Sequence, residues 1–161
     1  AAQTGQLVFS TLHTNTAPGS VIRLVDMGVE PYLISSCLIG VLNQRLVRSI
    51  CPNCKEEYHP LTEEIKELDA SLVDKNHRFY RGKGCHLCNG TGFSSRTGIF
   101  ELMVTNEEIR RSIMKNPEMQ LIKELARQAG MKTLREDGIA KVLEGKTTIS
   151  EVIYSTKKEK D

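Results

Sequence analysis

Four of the five cysteines fall in two pairs, Cys51-Pro-Asn-Cys54 and Cys85-His-Leu-Cys88, separated by residues 55–84. Two such pairs suit a tetrahedral metal, because each turn offers two thiolates and four thiolates about 2.3 Å from the ion complete a zinc shell. The spacer exceeds the roughly 15–20 residues of the compact four-cysteine pattern, so structure must lie between the turns. Redox chemistry would want a single CxxC in a βαβ setting, and two disulfides would want a secreted chain; neither context is visible. The spacing therefore predicts a closed, structural Zn2+ site with Cys51, Cys54, Cys85 and Cys88 as ligands. Cys37, between Ser36 and Leu38 in an apolar run, reads as a small buried core residue. His59 and His86 flank the cysteines and read as surface residues, and His77 lies in a polar stretch with no signal of its own.

The second pair runs on as Cys88-Asn-Gly90-Thr-Gly92, one copy of the CxxCxGxG repeat found in the zinc region of J-domain co-chaperones. The first pair lacks those glycines, so the simpler account is that Gly90 and Gly92 let the chain turn tightly beside the metal. From Lys75 to Phe100 there is no acidic residue, while Lys75, Arg78, Arg81, Lys83 and Arg96 are present with Phe79 and Tyr80. That stretch supports an alternative, a free-standing zinc-ribbon binding module that either stacks nucleic-acid bases on its aromatics or docks a protein. The charge balance speaks against it: Lys+Arg 22 against Asp+Glu 20 leaves a net +2, too even for a dedicated nucleic-acid protein. Hydrophobic residues at 39% and charged residues at 26% describe a folding chain rather than a disordered one. The longest apolar stretch, Tyr32 to Leu42, is broken by Ser35 and Ser36 and falls short of the about 20 residues a bilayer requires. No secretory leader is visible, and the opening Ala-Ala-Gln reads as a chain cut from something longer.

The elements that must hold these groups are partly legible. Gln6 to Ser10 reads as a short buried strand, followed by the polar cluster Ser10, Thr11, His13, Thr14 and Asn15. The carboxyl end of a buried strand is where open α/β sheets place ligands. His13 there fits a general base, a phosphate donor or a helix cap, and residue type alone favours the cap. Ala17-Pro18 opens a helix with Val21, Leu24, Val25 and Gly28 on one face. Pro31 opens a second, apolar over Leu33 to Leu42, and Gln44 to Ile50 reads as a strand into the first cysteine turn. Thr62 to Leu72 reads as a helix on Ile65, Leu68 and Leu72, and Thr97 to Val104 as a strand. Thr105 with Glu108, Thr133 with Glu136 and Thr148 with Glu151 fit capping boxes, Asn116-Pro117 opens a further helix, and Gly130 and Gly145 stop two. These signals predict four short helices to about Thr156 in a small bundle, then a charged tail, Lys157 to Asp161. Gly145-Lys-Thr147 is not a phosphate loop, because Ala140 stands where the motif needs glycine and a helix precedes it.

Taken in order, these motifs resemble the type II secretion and type IV pilus assembly ATPases (the GspE/PilB-like family). The segment from Thr4 to Asn15 is similar to the family's His box, and Thr16 to Ile34 to the helices after it. Gly40-Val-Leu-Asn-Gln-Arg-Leu-Val-Arg-Ser-Ile-Cys-Pro-Asn-Cys54 is similar to the strand entering the tetracysteine module. Cys85 to Leu102, with Arg96-Thr-Gly-Ile, resembles its exit, and Met131 to Thr148 completes the likeness. The family's Walker A loop, acidic box and Walker B segment are not in this sequence, so the chain looks like the C-terminal portion of such an enzyme.

The resemblance implies an α/β fold. Residues 1–50 would be the trailing part of a RecA-like ATPase core, 51–92 the zinc module, 93–104 a return strand of the core and 105–161 the helical bundle. It implies that His13 lies near the terminal phosphate, that the four cysteines hold zinc, and that Thr11, Arg45 and Arg96 are candidates for a nucleotide or subunit boundary. Arginine suits that work because its planar fork pairs with phosphate; Arg45 and Arg48 read more readily as structural ion pairs. It further implies a cytoplasmic hexamer at the inner membrane that uses ATP and Mg2+ and works with membrane platform proteins. Neither nucleic-acid binding nor membrane insertion is expected, and the 161 residues alone should not hydrolyse ATP. Secretion and pilus assembly are not separated, since both branches carry the cysteine module.

Overall fold

The computed structural model describes residues 1–68 and 77–156. In chain order its elements are α1 (Ala17–Asp26), α2 (Pro31–Cys37), β1 (Gly40–Ile50), β2 (Lys55–Tyr58), α3 (Thr62–Leu68), β3 (Phe79–Gly82), β4 (Phe93–Val104), α4 (Glu107–Lys115), α5 (Met119–Gln128), α6 (Leu134–Leu143) and α7 (Ile149–Thr156). Helices and strands are mixed, as the α/β reading requires. The end of the helix expected to Leu72, Lys75 of the basic stretch and the tail from Lys157 lie outside the described residues. The chain forms two compact units, residues 1–43 with 101–132 and residues 44–100 with 133–161. No described helix is long and apolar enough to cross a membrane.

In the first unit, α1, α2, α4 and α5 close over Val21, Ile34, Met103, Ile109, Ile113 and Ile122, all buried. Thr16 caps α1 by accepting from Gly19 N–H at 3.1 Å, with Pro18 in the first turn as expected. In the second, α3, α6 and α7 pack around Leu68, Phe79, Ile139, Val142, Ile149 and Val152, and Val47, Ile99 and Leu134 form a smaller cluster. The four C-terminal helices thus divide: α4 and α5 belong to the first unit, α6 and α7 to the second.

β1 pairs with β4, and β2 with β3. Thr105 N–H reaches Ile39 O at one end of the first ladder and Cys51 N–H reaches Gly92 O at the other, which makes the pair antiparallel. β2 and β3 are antiparallel with Glu56 opposite Arg81 and Glu57 opposite Tyr80. Glu56–Arg81 at 3.0 Å and Glu57–Arg78 at 3.7 Å are ion pairs across that ladder.

Several sequence expectations shift. Residues 6–10 form no strand, because a strand exists through a ladder partner and none of the described strands pairs with them. Leu7, Val8 and Phe9 are exposed, Phe9 by 88%. α2 stops at Cys37 and β1 begins four residues before the expected Gln44, where Leu38 turns extended (φ −74°, ψ 117°). Cys37 is half-buried beside Ser36 Oγ rather than in the core. Asn106, not Thr105, caps α4 by accepting from Ile109 N–H, since the Thr105 backbone still belongs to the β1–β4 ladder. α5 starts at Met119, two residues after Pro117. The Thr133–Glu136 capping box forms as expected. Thr148 accepts from Glu151 N–H, but the Glu151 carboxylate goes to Arg48 instead of back to the cap. Gly130 and Gly145 end their helices with φ 94° and 65°.

Candidate functional site

The two cysteine turns come together in the second unit. Sγ separations are 4.0 Å for Cys51–Cys85, 3.8 Å for Cys54–Cys88 and 3.7 Å for Cys85–Cys88, and all four sulfurs lie within 4.8 Å of one another. A regular tetrahedron with arms of about 2.3 Å has edges of about 3.8 Å, so the four thiols already approximate a zinc shell. All five cysteines are free, and the sulfur separations are far beyond a disulfide bond.

The local backbone makes this geometry. Cys54 N–H closes the first turn on Cys51 O at 3.3 Å, and Lys83 N–H bonds Cys54 O at 2.9 Å. The second is a 3-10 turn over His86–Cys88 that ends in Asn89 and Gly90, both with positive φ. Gly82 and Gly92 let their two chain segments touch: a Cβ on Gly82 would stand 2.0 Å from Gly92 O. The expectation for Gly92 holds, and its partner Gly82 was not foreseen.

Nitrogen donors point at the sulfurs. Gly84 N–H reaches Cys54 Sγ at 3.3 Å, and Cys85 and Gly92 N–H both reach Cys88 Sγ at 3.2 Å. The Asn53 amide donates to Cys85 Sγ at 3.4 Å across the two turns. These bonds favour thiolate. The Cys85 backbone donor leads in lowering Cys88 to about 6, and the Asn53 amide leads in lowering Cys85. Burial pushes Cys54 the other way, up to about 12. Four negative sulfurs cannot share this space without a cation, and a dication would deprotonate Cys54 outright. His59 and His86 are exposed, as expected.

The other candidates are dispersed. Thr11 and His13 are exposed on the segment before α1, and His13 makes no hydrogen bond among the described residues. Immediately after it the chain is held: Thr14 Oγ1 bonds Ser20 Oγ at 2.6 Å, and Asn43 Nδ2 donates to Asn15 O at 2.7 Å. The buried Glu101 carboxylate accepts from Ala17 N–H at 2.7 Å. In the second unit Arg45 donates to Ser155 O at 3.0 Å, near the C-terminal end of α7. Arg48 pairs with Glu151 at 2.7 Å and lies 4.2 Å over the Phe93 ring. Both side chains are held by partners within this unit. Arg96 is exposed.

The base-stacking alternative loses its aromatics. Phe79 is 4% exposed, edge-on to His77, and Tyr80 is covered by Lys55 Nζ at 4.3 Å from its ring. Arg78 and Arg81 are paired with β2 carboxylates, which a reading of linear sequence could not show. His77 was also missed as a structural residue; its Nε2 bonds Leu143 O at 2.9 Å. Glu101 had a signal: a lone carboxylate between Ile99 and Met103 at core parity on a strand demands a partner.

Residues 1–154 match the family model described as type II/IV secretion system protein. The chain is 50% identical over 157 residues to the type IV pilus assembly ATPase PilB of Thermus thermophilus, covering 97% of this chain and 18% of that protein. It is 46% identical over 157 residues to the type II secretion system ATPase E of Vibrio cholerae, covering 98% of this chain and 31% of that protein. It is 45% identical over 163 residues to the type II secretion system protein E of Pseudomonas aeruginosa, covering 99% and 31%. The chain therefore spans less than a third of the length of these relatives.

Proposed function

The chain belongs to the type II/IV secretion system protein family, and from that premise we propose that it is the C-terminal part of a cytoplasmic, hexameric ATPase that drives type II secretion or type IV pilus assembly. The observation that carries the reading is a family match running unbroken over residues 1–154, through both the His13 segment and the cysteine turns. Residues 1–50 and 93–104 are read as part of a RecA-like core, 51–92 as the zinc module and the helices after Thr105 as the C-terminal element. On this reading the exposed Leu7-Val8-Phe9 run is a strand of that core, and its ladder neighbours belong to the remainder of the ATPase.

Phosphoryl transfer to water is catalysed by positioning and by charge stabilisation around the γ-phosphate, most of it from a phosphate loop and Mg2+. Neither loop nor acidic box is in these 161 residues, so the chain contributes His13 toward the terminal phosphate and does not turn over ATP by itself. Thr11 and Arg96, both exposed, are the further candidates for a nucleotide or subunit boundary. Cys51, Cys54, Cys85 and Cys88 would hold Zn2+, which supplies folding energy rather than reaction chemistry. The module then offers a rigid surface for membrane platform proteins. Ring closure by identical subunits and rigid-body movement between nucleotide states would carry the work.

Mutation of His13 in the full-length enzyme tests this reading. His13→Ala is expected to lower kcat by about 10²-fold or more if the imidazole assists proton transfer or holds the reacting phosphate. An unchanged kcat would remove His13 from the site.

A further inference from the structure

Four consecutive residues after His13 are each fixed from outside the peptide bond that follows them. Thr14 Oγ1 bonds Ser20 Oγ at 2.6 Å and Thr16 O at 3.2 Å. Asn43, on β1, donates its amide to Asn15 O at 2.7 Å. Thr16 Oγ1 accepts from Gly19 N–H at 3.1 Å. Glu101, on β4 and 4% exposed, accepts from Ala17 N–H at 2.7 Å. All of these residues lie in one unit.

The first turn of α1 is held internally: Ala17 N–H goes to Glu101, Pro18 has no N–H, and Gly19 N–H goes to Thr16. The positive end of α1 is held by an internal carboxylate, whose burial is tolerable because it meets that donor and that dipole. Among the described residues no side-chain hydrogen bond is made by the stretch from Gly5 to His13, and His13 is the last exposed residue before the fixed stretch.

We propose that Glu101 and Asn43 are positioning residues: they fix the backbone at 14–17, so that the His13 imidazole is presented from a rigid base and not from a mobile loop. The role assigned to His13 rests on the ATPase reading above; the restraint on residues 14–17 does not.

The test uses the full-length enzyme and two readouts, hydrogen exchange of the peptides covering 11–20 and the separate kcat and KM for ATP. Losing a charge-assisted hydrogen bond from a buried donor should speed exchange of the Ala17 amide by about 10- to 100-fold in Glu101→Ala. It should lower kcat by a similar factor with KM unchanged, because displacement of a reacting group by about an ångström is costly. Glu101→Gln keeps an acceptor oxygen and should restore most of both. Should Glu101→Ala not fold, Asn43→Ala removes the donor to Asn15 O at a half-exposed position and should lower kcat by about 3- to 10-fold with KM unchanged. Unchanged exchange of the Ala17 amide in Glu101→Ala overturns the restraint, and unchanged kcat in Asn43→Ala overturns the part given to Asn43. Faster exchange with unchanged kcat, in an enzyme that His13→Ala disables, overturns the positioning role. If His13→Ala leaves kcat intact, the ATPase assignment of His13 fails and the exchange readout still decides the restraint.

Discussion

In the unit formed by residues 44–100 and 133–161, three backbone donors of the paired strands are taken by groups outside the ladder. Arg48 N–H goes to Glu151 at 2.9 Å, Ile50 N–H to Lys146 O at 2.9 Å, and Phe100 N–H to Asp137 at 2.9 Å. In the unit formed by residues 1–43 and 101–132, the most strand-like apolar run, Leu7 to Phe9, has no ladder partner among the described residues and stands in solvent. An unpaired strand edge is adhesive, and side chains that occupy its donors are how proteins blunt it. The contrast separates a unit whose strands are blocked at these points, with four thiols gathered inside, from one whose segment beside His13 has no ladder partner among the described residues. Under the proposed function the cysteine turns of the second unit belong to a stabilising module, and the His13 segment of the first belongs to the catalytic core.

The comparison breaks most visibly if the thiols are dispensable. One zinc per chain is expected by elemental analysis, and a chelator or Cys88→Ser should unfold the second unit, since structural zinc contributes on the order of 10 kcal/mol. Amides of Val47, Ile99 and Val152 should then lose protection, while Val21 and Ile113 in the other unit keep theirs. Loss of protection in both units alike would mean they are not separate. Next in size is Gly82→Ala, whose Cβ would meet Gly92 O at 2.0 Å; a cost above about 4 kcal/mol and weakened metal retention are expected in denaturant unfolding.

Glu151 sharpens the edge-blocking half of the contrast. Burial works to raise its carboxyl, but the guanidinium and backbone N–H of Arg48 outweigh it and hold the group below the usual carboxylate range. Its contribution is therefore complete above an unfolded value of about 4.3 and is lost as pH falls through the lower native one. Glu151→Gln should cost about 1–2 kcal/mol at neutral pH and flatten the acid side of the stability profile. The smallest effect is spectroscopic. Burial, with the Glu64 charge behind it, pushes Tyr58 up to about 12, so ultraviolet titration should show a late phenol that Tyr58→Phe removes.

What the sequence disclosed depended on how locally each feature is specified. The cysteine turns were legible because two ligands three residues apart need only one turn, and Thr133–Glu136 because a capping box is complete within four residues. The need for structure between the turns was visible, but β2 was not. Lys55-Glu-Glu-Tyr58 becomes a strand only opposite β3, where arginines neutralise its carboxylates. The Gln6 to Ser10 strand was expected from apolar content alone, which records propensity and not a partner. Glu151 left its cap for an arginine 103 residues away, and Glu101 found a helix start 84 residues away; neither partner is written near it. His13 was found by resemblance, and the residues that hold its neighbours were found only in three dimensions.

Under the proposed function this chain supplies parts of a motor whose phosphate chemistry depends on further sequence. Measuring Mg2+-dependent ATP hydrolysis by these 161 residues beside the full-length enzyme at equal concentration tests it most directly. Turnover is expected from the full-length enzyme and none above background from the 161 residues, with zinc bound in both. Hydrolysis by the 161 residues alone, or none by the full-length enzyme, would contradict it.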